Sequence, residues 1–357
     1  MIYLLNFIAV LAYYLVIKSF CGQNANRWFC VAVTMHAILF RALANPFNYV
    51  DTEIYARAFD EISSYSFKEI ISPDNVYIDW GMGYVLFNWL IGQLSGNFQT
   101  MYALLAVIGL LPVFMFFYKT SHSFILSVII YLLYPLFFYM GLGVLRQHVA
   151  IGFVLMALLN IDKTKVSLLW AVLAVSFHTS ACLFFPYYLW RYINKDVRNL
   201  WKSVFLILSV AVILRVSFGR ILMYFDRYQS LYGGIESAER NIVPVIFMGS
   251  LLLLLWCTGA YKRLINANDK NIMNFLLYGF ALSLVCIGTY GMGRVTLYFM
   301  YVLPVAITFL DGLHVDKILS ISYKCAVFIL IMYLLSGSYS EQPYAYSFYW
   351  EKIARAW

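Results

Sequence analysis

Long apolar runs separated by short polar stretches make up most of this chain. Met1 to Ile17 is the first, and others follow at 28–44, 81–95, 100–118, 123–139, 143–160, 166–190, 203–218, 242–260, 272–289, 295–310 and 318–335. An apolar helix needs roughly 20 residues to cross a hydrocarbon core of about 30 Å, and most of these runs approach that length. The pattern predicts an all-α polytopic integral membrane protein with about 11–12 helical segments in a single membrane domain over 1–357. Met1 to Ile17 has no basic leader region and no small-residue cleavage site, so it reads as the first span.

Composition strengthens this reading. Of 357 residues, 63% are hydrophobic and 12% charged, where a soluble domain carries roughly 25% charge. Mean hydropathy is +0.77, more apolar surface than one core can hide, so lipid must cover the remainder. The net charge of +8 comes from 25 Lys and Arg against 17 Asp and Glu. These cations are scattered between apolar runs, which argues against nucleic acid as a partner and for a topology signal. The six cysteines form no CxxC pair and have no histidine at metal spacing, so they read as packing residues.

The loops sort by charge. Lys18, Arg27, Lys119, Lys163, Lys165, the set Arg191, Lys195, Arg198 and Lys202, then Lys262, Arg263, Lys270, Lys317 and Lys324 mark cytoplasmic loops. The connection 45–80 holds seven acids and two bases, so it is expected outside. These assignments require an odd number of crossings between 80 and Lys119, and an even number between Lys165 and Arg191. The run 81–95 is therefore expected not to cross, and 166–190 to break near His178 into a hairpin of two short helices. Each half would be about 18 Å long, a length tolerated at membrane depth where irregular backbone lines a cavity. The alternative is a single 25-residue span followed by a basic external loop. With the hairpin, the loops after 140, at 218–240 and around 290, and the tail from 337, all face outward.

Two ionisable groups then stand at outer span ends, Arg146 in GLGVLRQHVAIGF and Arg294 in TYGMGRVTLYF, and a third, His178 in AVSFHTSACLFFP, is flanked on both sides by apolar residues. An ionisable group in hydrocarbon costs from about 2.5 kcal/mol upward, so each needs a wet cavity or a partner. Two guanidinium groups and an imidazole facing one cavity would suit an anion, phosphate above all. The alternatives are snorkelling to headgroups for the arginines and a packing hydrogen bond for His178.

In the outer connection, Asp51 is expected to cap a short membrane-surface helix with Ile54, Tyr55, Ala58, Phe59 and Ile62 as its apolar stripe. Tyr49, Tyr55, Tyr65, Tyr77, Trp80, Tyr84 and Trp89 crowd this region. Aromatic faces beside carboxylates suit a sugar, although an interfacial aromatic belt has the same composition. Asp51 or Asp79 would be able to take a proton from a sugar hydroxyl. The loop 218–240 mixes charges with tyrosines, including Tyr228 and Tyr232, and has the length of a substrate loop.

The order of these elements is specific. A D-x-x-x-Y (Asp51, Tyr55), a G-Y-x-x-x-N (Gly83, Tyr84, Asn88), an R-Q pair (Arg146, Gln147), an F-H-x-S-A (Phe177, His178, Ser180, Ala181), a Tyr-rich outer loop and a late Arg294 occur in sequence. The chain thereby resembles the EpsG family of bacterial exopolysaccharide proteins over most of its length. Where an acid is expected close before the G-Y, the sequence reads DWGMGY, with Asp79 as the stand-in. The resemblance implies a Wzy-like polymerase that joins undecaprenyl-diphosphate-linked repeat units outside the bacterial inner membrane, with a fold similar to the GT-C glycosyltransferases. It implies lipid-linked donor and acceptor as substrates, no cofactor and no obligatory metal, and a flippase and a chain-length regulator as partners. It places Arg146, Gln147 and Arg294 at the diphosphate, and Asp51 and His178 in catalysis. Tyr55, Asp79, Tyr84, Tyr228 and Tyr232 would meet the glycan. An O-antigen ligase, or another glycosyltransferase with a polyprenyl donor, would need the same diphosphate site. A lipid-linked-glycan transporter or flippase would usually carry internal repeats, and none is visible in this sequence.

Overall fold

Helix formation follows the apolar runs closely, and proline, glycine and one histidine decide where the helices stop. The computed structural model describes residues 2–49, 51–72, 74–223, 242–287, 293–338 and 346–351. Among the described residues, four stretches are long and apolar enough to cross a membrane: Leu5–Ala42, Phe98–Thr120, Arg294–Gly312 and Lys317–Leu334. No strand is assigned among the described residues, so the chain is an all-α polytopic membrane protein. It divides into two units. Unit 1 comprises Met1–Lys119, Phe124–Cys182 and Cys325–Trp357, and unit 2 comprises Thr120–Ser123 and Leu183–Lys324.

In unit 1, α1 (Ile2–Cys21) and α2 (Ala25–Ala42) form an antiparallel pair, with Phe29 buried against the rings of Tyr13 and Tyr14. The surface helix α3 (Thr52–Ser64) buries Tyr55, Ala58, Phe59 and Ile62. Ile54, expected in that stripe, is instead 57% exposed. After the single turn α4 (Phe67–Ile70) comes α5 (Met82–Ser95), only about 21 Å long. It runs along α3, where Trp89 Nε1 donates to Tyr65 O at 2.9 Å and Gln93 Nε2 to Ser63 O at 2.8 Å. Gly96, left-handed at φ +58°, ends it.

Next, α6 (Phe98–Thr120) spans about 34 Å. The helix expected over 123–139 is shorter: α7 (Phe124–Leu133) stops because Pro135 disfavours helical backbone at Tyr134. Then α8 (Leu145–Leu159) and α9 (Thr164–Phe177) pack extensively on each other. The predicted break is present: His178 is extended at φ −151°, ψ 117°, and a 3₁₀ stretch Thr179–Phe184 follows.

Several helix ends meet at one end of unit 1. Gln99 Nε2 donates to Ala42 O at 2.6 Å, and Tyr102 Oη donates to Leu142 O at 2.9 Å, just ahead of α8. Residues 346–351 lie beside the chain at 43–48: Asn45 N donates to Ser347 O at 2.8 Å and Tyr349 N to Leu43 O at 2.9 Å. The start of α5 rests on the last residues of α9, so α5 begins and ends at this same end.

Unit 2 contains α10 (Phe185–Ile193), α11 (Leu200–Met223), α12 (Val243–Cys257), α13 (Ala267–Cys286), and α14 (Gly293–Met300) with its short continuations. The helix α15 (Lys317–Ser338) begins here and its remainder belongs to unit 1. Buried almost throughout, α13 packs on α11, α12 and α14. Polar groups gather at its N-terminal turns. Asn194 Nδ2 donates to Asn274 Oδ1 at 2.8 Å, Arg191 Nε donates to Asn271 Oδ1 at 3.0 Å, and His122 Nε2 lies 3.1 Å from Asp269. Arg263 Nη1 donates to Leu313 O and His314 O at 2.8 and 2.7 Å. Within unit 2, the basic segments at 191–203, 262–270 and 313–317 thus share one end.

Candidate functional site

Arg146 stands in the first turn of α8, and aromatic side chains surround its guanidinium on several sides. Its Cζ is 4.6 Å from the Trp80 ring centroid and 5.6 Å from those of Tyr55 and Tyr84, well within cation–π range. Nη1 donates to Trp80 O at 2.8 Å. Arg146 Nε and Tyr84 Oη are both buried and have no hydrogen-bond partner among the described residues.

Each wall of this cage comes from one of the sequence elements. Tyr55 belongs to α3 and stacks edge-on with Trp80 at 5.6 Å and with Tyr84 at 6.0 Å. Trp80 and Tyr84 flank the turn into α5. That turn packs directly on the end of α9: a Cβ on Gly81, which has φ +95°, would lie 2.4 Å from Ser176 O, and one on Gly83 would lie 2.3 Å from Ser176 Oγ. Phe177 closes the back, with its ring 6.5 Å from Tyr84 and 5.5 Å from Phe153. His178 follows immediately, half-buried, with Nδ1 2.7 Å from Ser180 Oγ. That bond leaves Nε2 as the other polar edge of the ring. The D-x-x-x-Y, G-Y, R-Q and F-H-x-S-A elements are therefore neighbours in unit 1.

Asp51 occupies the position before α3, but its side chain makes no capping bond. Thr52 Oγ1 turns back to the preceding chain instead, donating to Tyr49 O at 2.7 Å and to Pro46 O. The expectation of Asp51 as the capping group is corrected accordingly. Asp79 is exposed in the turn before Trp80. Tyr55 and Tyr84 are buried against Arg146 and do not present a ring face to solvent, and Gln147 is also buried. Arg294 is exposed in the first turn of α14, in unit 2. Tyr228 and Tyr232 lie outside the described residues.

The surface loop carries its own electrostatics. Burial first, and then the Glu61 carboxylate, push the Tyr77 hydroxyl above its ordinary range, so it stays protonated and donates to Glu61. Hydrogen bonds from the Ser66 hydroxyl and backbone hold Glu69 below the usual carboxylate range, in a capping box that fixes α4.

Trp80 supplies the nearest ring to Arg146, and its only sequence signal is its place in the aromatic-rich turn ahead of the G-Y. A planar cation braced by three rings, with an imidazole at a helix break close by, is suited to holding an anionic group beside a polar reacting centre. No curated protein and no solved structure matches the chain. The EpsG family model matches residues 27–349, nearly the whole length, and the chain belongs to the EpsG family.

Proposed function

We propose that this protein is a polysaccharide polymerase that joins undecaprenyl-diphosphate-linked oligosaccharide repeat units on the extracytoplasmic side of the bacterial inner membrane. The observation that carries this reading is the gathering of three other family elements around the cage of Arg146, a cation whose Nε finds no partner among the described residues. In the reaction, a sugar hydroxyl of the acceptor attacks the anomeric carbon of the donor glycan. The new C–O bond forms as the bond to the diphosphate breaks, and undecaprenyl diphosphate leaves with the electron pair. Arg146, with Gln147 beside it, stabilises the negative charge on that leaving group. Asp51 takes the hydroxyl proton, and His178 donates from Nε2 to a phosphate oxygen. Asp79 lines the glycan path, with Tyr55 and Tyr84 acting through their grip on Arg146.

Reconstitution with a purified lipid-linked repeat unit tests the proposal. A ladder of longer lipid-linked glycans is the expected product. Movement of the unit across the vesicle membrane without elongation would make the protein a transporter, and transfer only to a different acceptor would make it a ligase.

A further inference from the structure

His178 and Ser180 are two positions apart, and the backbone between them brings their side chains together. His178 N donates to Ala174 O at 3.0 Å, which ties it to the last turn of α9, and His178 O accepts from Ala181 N at 3.0 Å, which closes a turn over 178–181. Ala181 is buried at the close of that turn. Across it, Ser180 Oγ lies 2.7 Å from His178 Nδ1.

The direction of this bond decides the chemistry on the far side of the ring. When Nδ1–H donates to Ser180 Oγ, Nε2 of the neutral imidazole has no proton and only accepts. When the hydroxyl donates to Nδ1, Nε2 carries the proton and donates. An ionised phosphate oxygen only accepts, so holding it through Nε2 needs the second arrangement. The length agrees, because hydroxyl donors cluster at about 2.7–2.8 Å and N–H donors at about 2.9–3.0 Å. The residue type agrees as well: a carboxylate or carbonyl beside Nδ1 could only accept and would draw the proton to that nitrogen. We propose that Ser180 is a positioning residue whose hydroxyl donates to His178 Nδ1 and holds the imidazole as its Nε2–H tautomer, a donor to the diphosphate and not a base. This role rests on the polymerase reading, with a lipid diphosphate as leaving group.

The test reads the proton directly. Full-length protein in detergent, free of substrate, is labelled with nitrogen-15 histidine at about pH 8, above the ordinary range of histidine. Couplings between ring protons and ring nitrogens report which nitrogen is protonated, and His178→Gln identifies the His178 signals among the five histidines. The wild type should carry the proton on Nε2, and Ser180→Thr should keep it there. Ser180→Ala should shift the tautomer ratio toward Nδ1–H by roughly 2- to 13-fold, the effect of losing one hydrogen bond. Binding of undecaprenyl diphosphate should weaken in Ser180→Ala and recover in Ser180→Thr. A proton on Nδ1 of the wild type, an Ala variant with the wild-type tautomer ratio, or unchanged binding in a variant whose ratio has shifted would overturn the proposal. If Ser180→Ala does not fold, the wild-type spectrum decides. An Nδ1 proton in a protein that elongates the repeat unit would remove only the role of Ser180, whereas an Nε2 proton in a protein that elongates nothing would remove the polymerase reading.

Discussion

Replacing Arg146 with lysine separates charge from shape. The wild-type side chain makes one hydrogen bond, to Trp80 O, and lies over three rings, the closest at 4.6 Å. Lysine keeps the positive charge and can still lie against an aromatic face, so the cost to folding is bounded by the lost bond, about 1.5–3 kcal/mol. It cannot offer a flat group with several fixed donors. If that group binds the departing diphosphate, losing one donor costs about 2.7–4 kcal/mol in the transition state, or roughly 100- to 1000-fold in rate. The assay is elongation of a purified lipid-linked repeat unit by reconstituted protein, with a thermal unfolding curve on the same preparation. The expected result is a folded variant with a collapsed rate. Full elongation with an unchanged unfolding midpoint would show that Arg146 only braces the turn before α5.

Further outcomes follow from the same geometry. Gly81→Ala combines a left-handed φ of +95° with a contact against Ser176 O and should lose several kcal/mol or fail to fold, whereas Gly96→Ala, at φ +58° with its nearest neighbour 3.9 Å away, should lose about 1 kcal/mol; equal losses in denaturant titrations would refute the packing of that turn on α9. Asp51→Asn should abolish elongation and leave donor binding nearly intact, and His178→Gln should weaken donor binding with measurable turnover; the reverse pattern in paired binding and rate measurements would transfer the base role to His178. Single cysteines at 60 on one side, and at 163, 195 and 265 on the other, should label from outside and inside respectively, and an outward 195 would remove the hairpin at His178.

Some of this architecture is written plainly in the sequence. Lengths and charges along the chain specify the helices, and the parity of crossings calls for 166–190 to turn back, which a break near His178 allows. What it hides is direction. Tyr55 and Tyr84 stand in an aromatic-rich stretch that looks like an interfacial belt, and only packing turns them inward onto Arg146. Asp51 stands at the start of α3 without capping it, and Thr52 ties that start to the preceding turn through Tyr49 O. Arg41 carries the signal of an ionisable group in an apolar run, yet it sits so near the end of α2 that the headgroups would be its expected destination. The irregular chain ahead of α8 offers Phe138 O instead, and the side chain turns into the protein.

The bridge between 43–48 and 346–351 sets a clock on biogenesis. Its partners are some 300 residues apart; the Tyr346 hydroxyl and Phe40 O, for example, are separated by 306 positions. At about 5–20 residues per second, the ribosome needs roughly 15–60 s to make that stretch. Throughout that interval the first two helices are in place while Leu43 O and Asn45 N await their partners. The Arg146 cage is built from residues no later than Phe177, so its walls are made well before the tail that closes this bridge. A nascent or prematurely terminated chain would own every residue of the cage and still leave Leu43 O and Asn45 N without the tail that pairs with them.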